Sequence, residues 1–118
     1  MDTKTYNVLA IIFSLIIIIG SSIPGASVPE LYLFRSDKFL HVLEYLILGH
    51  LLMNSVVNKT HSPIFLSLVL GLLFALVDEL YQSTVIGRFQ SSFDVFADAI
   101  GLTLSIIINQ KISKIVDG

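Results

Sequence analysis

Apolar residues fall into four long blocks along the chain, and most ionisable residues lie at the ends of those blocks. The blocks predict helices over residues 7–23, 38–57, 63–82 and 92–110. Each approaches the length of about 20 residues with which a helix spans a bilayer. Because a backbone in lipid must satisfy its own hydrogen bonds, helices are expected even where isoleucine is frequent. The predicted fold is therefore all-α: an integral membrane bundle of four transmembrane helices in one domain, residues 1–118.

The first apolar block has a second interpretation. It follows Lys4 and has a short apolar core, which is also typical of a signal peptide. The stretch after it, "SSIPGASVPE", is a poor cleavage site, and its prolines and glycine end the helix in a loop. We therefore expect this block to be retained as the first transmembrane helix.

Composition narrows the class of protein. Of the 118 residues, 54% are hydrophobic and only 14% are charged, whereas about a quarter of a soluble domain is charged. The net charge of -2 and the lack of basic runs with interleaved aromatic residues give no indication of nucleic-acid binding. Cysteine is absent, which excludes disulfides, zinc thiolates and a cysteine nucleophile.

Chain reversals in the membrane bring the ionisable residues together. Four helices joined by three loops alternate in direction, so the start of the second, the end of the third and the start of the fourth lie at one face. The candidate site residues concentrated there are Asp37, Lys38, His41, Glu44, Tyr45, Asp78, Glu79, Gln82, Arg88, Asp94 and Asp98. Helical spacing places Lys38, His41 and Tyr45 on one stripe, with Glu44 on its flank. We predict a polar pocket just below this interface.

Two further stripes combine polar residues with small ones. They consist of Gly71, Ala75, Asp78 and Gln82 on the third segment and of Asp94, Asp98, Gly101 and Ser105 on the fourth. Small residues let membrane helices approach closely, so tight packing is expected below the pocket. His50 lies off the polar stripe, and it and His61 are expected to be structural or exposed to solvent.

The residue types in the pocket allow either acid–base chemistry or ligand binding. The candidate catalytic residues are His41, Glu44, Asp78, Glu79 and Asp94, as general acids or bases. The other six are candidate binding residues, and Lys38 and Arg88 among them suit a phosphate or a carboxylate.

The charge balance leaves the role of a metal open. Six carboxylates against Lys38 and Arg88 leave an excess of four negative charges. This excess would attract a cation, or the two basic side chains would form a structural network with the acids. An all-oxygen ligand set suits Mg²⁺, Ca²⁺ or Mn²⁺ better than zinc, and His41 could add a nitrogen. A divalent cation is therefore one alternative, with its ligands unassigned.

Two stretches together resemble the VanZ-like family of bacterial membrane proteins: "DKFLHVLEYLILG" (37–49) and "DELYQSTVIGRFQSSFDVFADAIG" (78–101). The family pattern is matched at Asp37, Lys38, His41, Tyr45, Leu48, Asp78, Glu79, Gln82, Gly87, Arg88, Asp94 and Gly101. Asp98 departs from it, where the family commonly has asparagine, and Ile86 stands where proline is frequent. The resemblance implies a role at the bacterial cell envelope, since the family is associated with low-level resistance to glycopeptides, notably teicoplanin.

Three functions fit these observations. The favoured one is a binding or accessory protein of the cell envelope that recognises a membrane lipid headgroup or a lipid-linked envelope precursor. The second is a small membrane enzyme acting on a lipid-linked phosphate or ester. The third, a proton or cation pathway, is disfavoured because the inner halves "LVLGLLF" and "LTLSIII" are nearly all apolar.

Flanking basic residues predict the orientation. Lys4, Lys59, Lys111 and Lys114 lie on one side of the membrane, against Arg35 on the other once Lys38 and Arg88 are set aside as site residues. The positive-inside rule then favours a multi-pass protein of the bacterial inner membrane with both termini in the cytoplasm. The polar pocket would open on the outer side.

Overall fold

A computed structural model describes the chain over residues 2–22, 36–57, 59–85 and 92–117. Every regular element within these ranges is an α-helix, and the helices are α1 (Thr3–Ser21), α2 (Ser36–Val56), α3 (Pro63–Gln82) and α4 (Ser92–Asp117). The predicted all-α bundle of four helices is confirmed.

All four helices are long and apolar enough to cross a membrane. The segments that meet this criterion are Thr3–Ser21, Phe39–Val56, Pro63–Gln82 and Phe93–Lys111. Large apolar side chains such as Ile11, Phe65 and Phe93 are 63–71% exposed on the outside of the bundle. An apolar outer surface of this extent suits contact with lipid, whereas in water it would promote aggregation. The chain is thus built as a multi-pass membrane protein.

The helix ends differ most from the predicted ones at two places. α1 begins at Thr3 because Asp2 caps it: the Asp2 carboxylate accepts the Thr5 N–H at 2.8 Å and the Thr5 hydroxyl at 2.7 Å. The hydrogen bond from the Thr5 hydroxyl lowers the pKa of the Asp2 carboxyl most, and the bond from the Thr5 N–H lowers it further. At the other end of the chain, α4 continues past residue 110 to Asp117, since no proline or glycine interrupts the sequence before Gly118.

α2 is the central helix of the bundle. It packs most extensively against α4 and also contacts α1 and α3. The buried core between the helices consists of Ile17, Tyr45, Leu48, Ala75 and Leu102. This core occupies the middle of the bundle and separates its two ends.

Glycines permit the close approach that the small-residue stripes predict. A methyl group on Gly101 would overlap the backbone of α2, including the carbonyl oxygen of Val42. On Gly71 it would lie 2.5 Å from a side-chain carbon of Leu102. α4 therefore approaches α2 backbone to backbone just below the candidate site.

Candidate functional site

Three helix ends form a buried polar cluster at one end of the bundle. α2 contributes His41 near its start, α3 contributes residues near its end, and α4 contributes residues near its start. The members are His41, Asp78, Glu79, Gln82, Asp94 and Asp98, and each is at most 3% exposed. Tyr45, one turn below His41, is completely buried. The predicted convergence of these residues is therefore observed.

The cluster lies at a shallow depth. With a rise of about 1.5 Å per residue, Glu79 lies about 4.5 Å, His41 about 7.5 Å and Asp98 about 9 Å from the nearer end of its helix. Ligands from water or from lipid headgroups therefore need to travel only a short way to reach it.

His41 and Asp98 form the closest pair in the cluster. The Nδ1 atom of His41 and the Oδ1 atom of Asp98 share a hydrogen bond of 2.6 Å between α2 and α4. The bond fixes the orientation of the imidazole ring, which is what both a metal ligand and a general base require. Asp98 is also the residue at which the chain departs from the VanZ-like pattern.

Asp78 is held from two other helices. The Ser21 hydroxyl of α1 donates to Oδ1 of Asp78 at 2.5 Å, and the Tyr45 hydroxyl of α2 donates to Oδ2 at 3.4 Å. Ser21 is 4% exposed and was missed by the sequence analysis. The alternation of helix directions would also have placed Ser21 near the site, since the end of the first helix lies at the face where the second begins.

The side chain of Glu79 is buried among polar groups. Neither of its carboxylate oxygens has a partner among the described residues, and the same holds for Oδ2 of Asp98. One ligand atom each from His41, Glu79 and Asp98 lies within 4.8 Å of the others. Within the described part of the chain, these three side chains form a group that could hold a metal ion.

Of the remaining predicted site residues, the structure describes the side chain of Glu44 but not those of Asp37, Lys38 and Arg88. Glu44 is half-buried on the flank of the α2 stripe, as its spacing predicts. Asp37 and Lys38 belong to the first turn of α2, but their side chains are not described, and Arg88 lies outside the described residues. A network of Lys38 and Arg88 with the carboxylates therefore stays a prediction.

A second polar group lies in the opposite half of the bundle. Nδ1 of His50 is 2.9 Å from the side-chain oxygen of Asn109, and Asn54 donates to the His50 carbonyl oxygen at 2.8 Å. Nearer that end, Ser55 donates a hydrogen bond to Asn7, and Lys59 donates to the same oxygen at 3.0 Å. The structural role expected for His50 agrees with these bonds, and His61 is exposed. The prediction that the inner halves are nearly apolar rested on "LVLGLLF" and "LTLSIII" in the third and fourth segments. It did not include this group, because the polar side chains of the group come from α1, α2 and the end of α4.

Fold and site together define a multi-pass helical membrane protein with a buried histidine–carboxylate cluster near one end of its bundle. The sequence matches no known family model, and it has no detectable match among curated proteins or solved structures. The resemblance to the VanZ-like family is thus carried by the motif residues alone.

Proposed function

We propose that this chain is a VanZ-like integral membrane protein of the bacterial cell envelope, and that its polar cluster binds the headgroup of a membrane lipid or of a lipid-linked envelope precursor. One observation carries the proposal: motif residues from separate stretches of the sequence are buried together. Three of them are the carboxylates of Asp78, Glu79 and Asp94, and Asp98, at the position that departs from the pattern, adds a fourth buried carboxylate. A charged residue at the bilayer centre costs roughly 2.5–3.5 kcal/mol and less near the interface, so a buried group of four favours a use for them.

The surroundings of the cluster favour a ligand with an apolar tail. A groove of about 350 Å³ follows the seam between α2 and α4 on the lipid-exposed side. It is lined by Phe39, Val42, Phe93, Phe96, Ala97 and Ile100. Val42 and Ala97 are the sequence neighbours of His41 and Asp98. A lipid could therefore place an acyl or prenyl chain in this groove while its headgroup reaches the cluster.

The proposed orientation follows the flanking lysines. Among the described residues, Lys4, Lys59 and Lys111 all lie toward the end opposite the cluster. The positive-inside rule then places both termini in the cytoplasm and the cluster on the outer side of the inner membrane. Labelling single cysteines at the two ends from outside the cell tests this orientation.

Native mass spectrometry of the purified full chain tests the binding function. The protein is reconstituted with phosphatidylglycerol, with or without a polyprenyl phosphate, and the retained lipid is counted. We expect about one tightly held lipid per chain. Its occupancy should fall at least tenfold in Asp78→Asn, because the amide NH₂ group cannot accept one of the two hydrogen bonds that Ser21 and Tyr45 donate to Asp78, so the helices around the cluster lose a link.

Asp2→Asn is the matched control, since Asp2 is exposed at the opposite end and asparagine also caps helices. It should retain lipid like the wild type. Equal occupancy in all three proteins, or no lipid retained by any of them, would refute the proposed binding.

A specific contact also favours the enzyme alternative. The His41–Asp98 pair, with its 2.6 Å bond, lies beside a second buried carboxylate, that of Glu79. A base oriented in this way contributes roughly 10²–10⁴-fold to a proton-transfer step. Chromatography with mass detection should then find a product from one of the two lipids, and His41→Gln should abolish that product. Absence of turnover by the wild type on both lipids would reject an enzyme acting on either.

A further inference from the structure

We propose that His41, Glu79 and Asp98 form a binding site for one divalent cation. The cluster itself is not the argument. The argument is Glu79, a side chain only 2% exposed whose two oxygens have no hydrogen-bond partner among the described residues. Buried polar groups in proteins are almost always paired, so a carboxylate left in this state indicates a missing partner.

A proton on Glu79 does not supply that partner. The neutral acid would carry an O–H donor, and neither of its oxygens has an acceptor within hydrogen-bond distance among the described residues. The lysines whose side chains are described, Lys4, Lys59 and Lys111, lie toward the opposite end of the bundle, and His41 is engaged with Asp98. A cation between the three side chains would satisfy both Glu79 and the free Oδ2 atom of Asp98.

The spacing suits one ion. Two ligand atoms of an octahedral ion with bonds of about 2.1 Å lie about 3.0 Å apart when adjacent and about 4.2 Å apart when opposite. The three potential ligand atoms lie within 4.8 Å of one another, which is close to this range. The shift required is small for side chains that end in rotatable carboxylates.

The ligand types indicate which ion binds. One imidazole nitrogen with two carboxylates is a mixed set that suits Mn²⁺ or Zn²⁺, whereas Mg²⁺ and Ca²⁺ prefer oxygen alone. Three protein ligands also leave coordination positions open for a further group.

The cation would remove a conflict in the charge of the site. Four buried carboxylates repel a phosphate, and His41 supplies at most one positive charge among the described residues. A bound divalent cation offers its open positions to a phosphate oxygen, so the headgroup would be held through the ion. This last step rests on the proposed lipid-binding function, whereas the cation site itself does not.

Titration of the metal-free full chain in detergent with Mn²⁺ or Zn²⁺ alone tests the site. Calorimetry measures the binding of either ion, and electron paramagnetic resonance measures the binding of Mn²⁺. We expect one strong site per chain. Its affinity should fall at least tenfold in Glu79→Gln and in His41→Gln. His61→Gln, a change in an exposed histidine at the opposite end, should bind like the wild type.

Thermal stability separates loss of the site from loss of the fold. The melting temperature of the wild type should rise with cation concentration, because the ion binds only the folded chain. Glu79→Gln should melt no lower than the metal-free wild type, since it removes an unpaired buried charge, but its melting temperature should not respond to the ion. A wild type without a strong site, or one whose affinity is unchanged in Glu79→Gln and His41→Gln, would overturn the proposal.

Lipid occupancy measured with and without a chelator keeps the two proposals distinct. Cation binding without any retained lipid refutes the lipid function and leaves the ion site standing. Lipid retained undiminished after complete removal of the ion refutes the step in which the ion holds the phosphate.

Discussion

A single methyl group at Gly101 should test whether the bundle depends on backbone contact between α2 and α4. The added carbon of Gly101→Ala would lie 2.9 Å from the backbone nitrogen of Leu46 and closer still to the carbonyl oxygen of Val42. Ordinary contact begins at 3.4 Å, so the helices must separate by at least about 0.5 Å. Neither neighbouring atom belongs to a side chain that can rotate away.

The loss of unfolding free energy that this overlap causes can be measured against a matched substitution. Gly20→Ala adds the same methyl group where no atom beyond the adjoining residues and the backbone of the same helix turn lies within 4 Å. Both changes gain helix propensity, up to about 1 kcal/mol, so this gain largely cancels in the comparison. The unfolding free energy of Gly101→Ala should then lie about 1–3 kcal/mol below that of Gly20→Ala, the range typical of an overpacked core.

Reversible unfolding in mixed micelles, followed by circular dichroism, gives both free energies. Gly71→Ala should be intermediate, because its new carbon meets only side-chain atoms of Leu102, which can rotate. If Gly101→Ala and Gly20→Ala agree within about 0.5 kcal/mol, the close approach of α2 and α4 is wrong.

Two further predictions concern α1 and the orientation. Ser21→Ala should lower the unfolding free energy by about 1–3 kcal/mol, because it removes a donor from the buried Asp78 carboxylate. Ser14→Ala removes only a bond to Ala10 within the same helix and should cost less; an equal loss would contradict the docking of α1 onto the cluster. In this cysteine-free chain, Thr84→Cys should react with a membrane-impermeant thiol reagent added to intact cells, whereas Lys59→Cys should react only after lysis. The reverse pattern would invert the proposed orientation.

The sequence predicts the helices well because their apolar blocks are long and because proline lies at or near two of the helix ends. The segment at Pro63 begins and ends where the pattern predicts, at residues 63 and 82. The two largest differences have local causes. A cap at Asp2 starts α1 early, and a polar but unbroken stretch prolongs α4 beyond the apolar block.

The site is predictable as a set of residues but not as a set of contacts. Alternating helix directions bring His41, Asp78 and Asp98 to one end whatever the rotation of each helix. The rotation decides that Asp98 bonds His41 while Asp78 bonds Ser21, and it depends on packing around the glycines. Spacing within one helix carries no information about which partner lies across the interface, so the isolation of Glu79 could not be foreseen.

The two polar groups of the bundle are separated by packed apolar side chains. Leu48 and Leu102, each 1% exposed, lie between the His41 cluster and the His50 group. The hydroxyl of Ser105, in the same region, donates its hydrogen bond to the carbonyl oxygen of Leu102 in its own helix. A proton or cation crossing the membrane would need polar side chains or water through this layer, where dry, close packing instead favours a barrier. We therefore expect the cluster at His41 to exchange with one side of the membrane only. A cluster closed off at its inner end suits a ligand that reaches and leaves it by the same route, as a lipid headgroup would, better than an ion in transit.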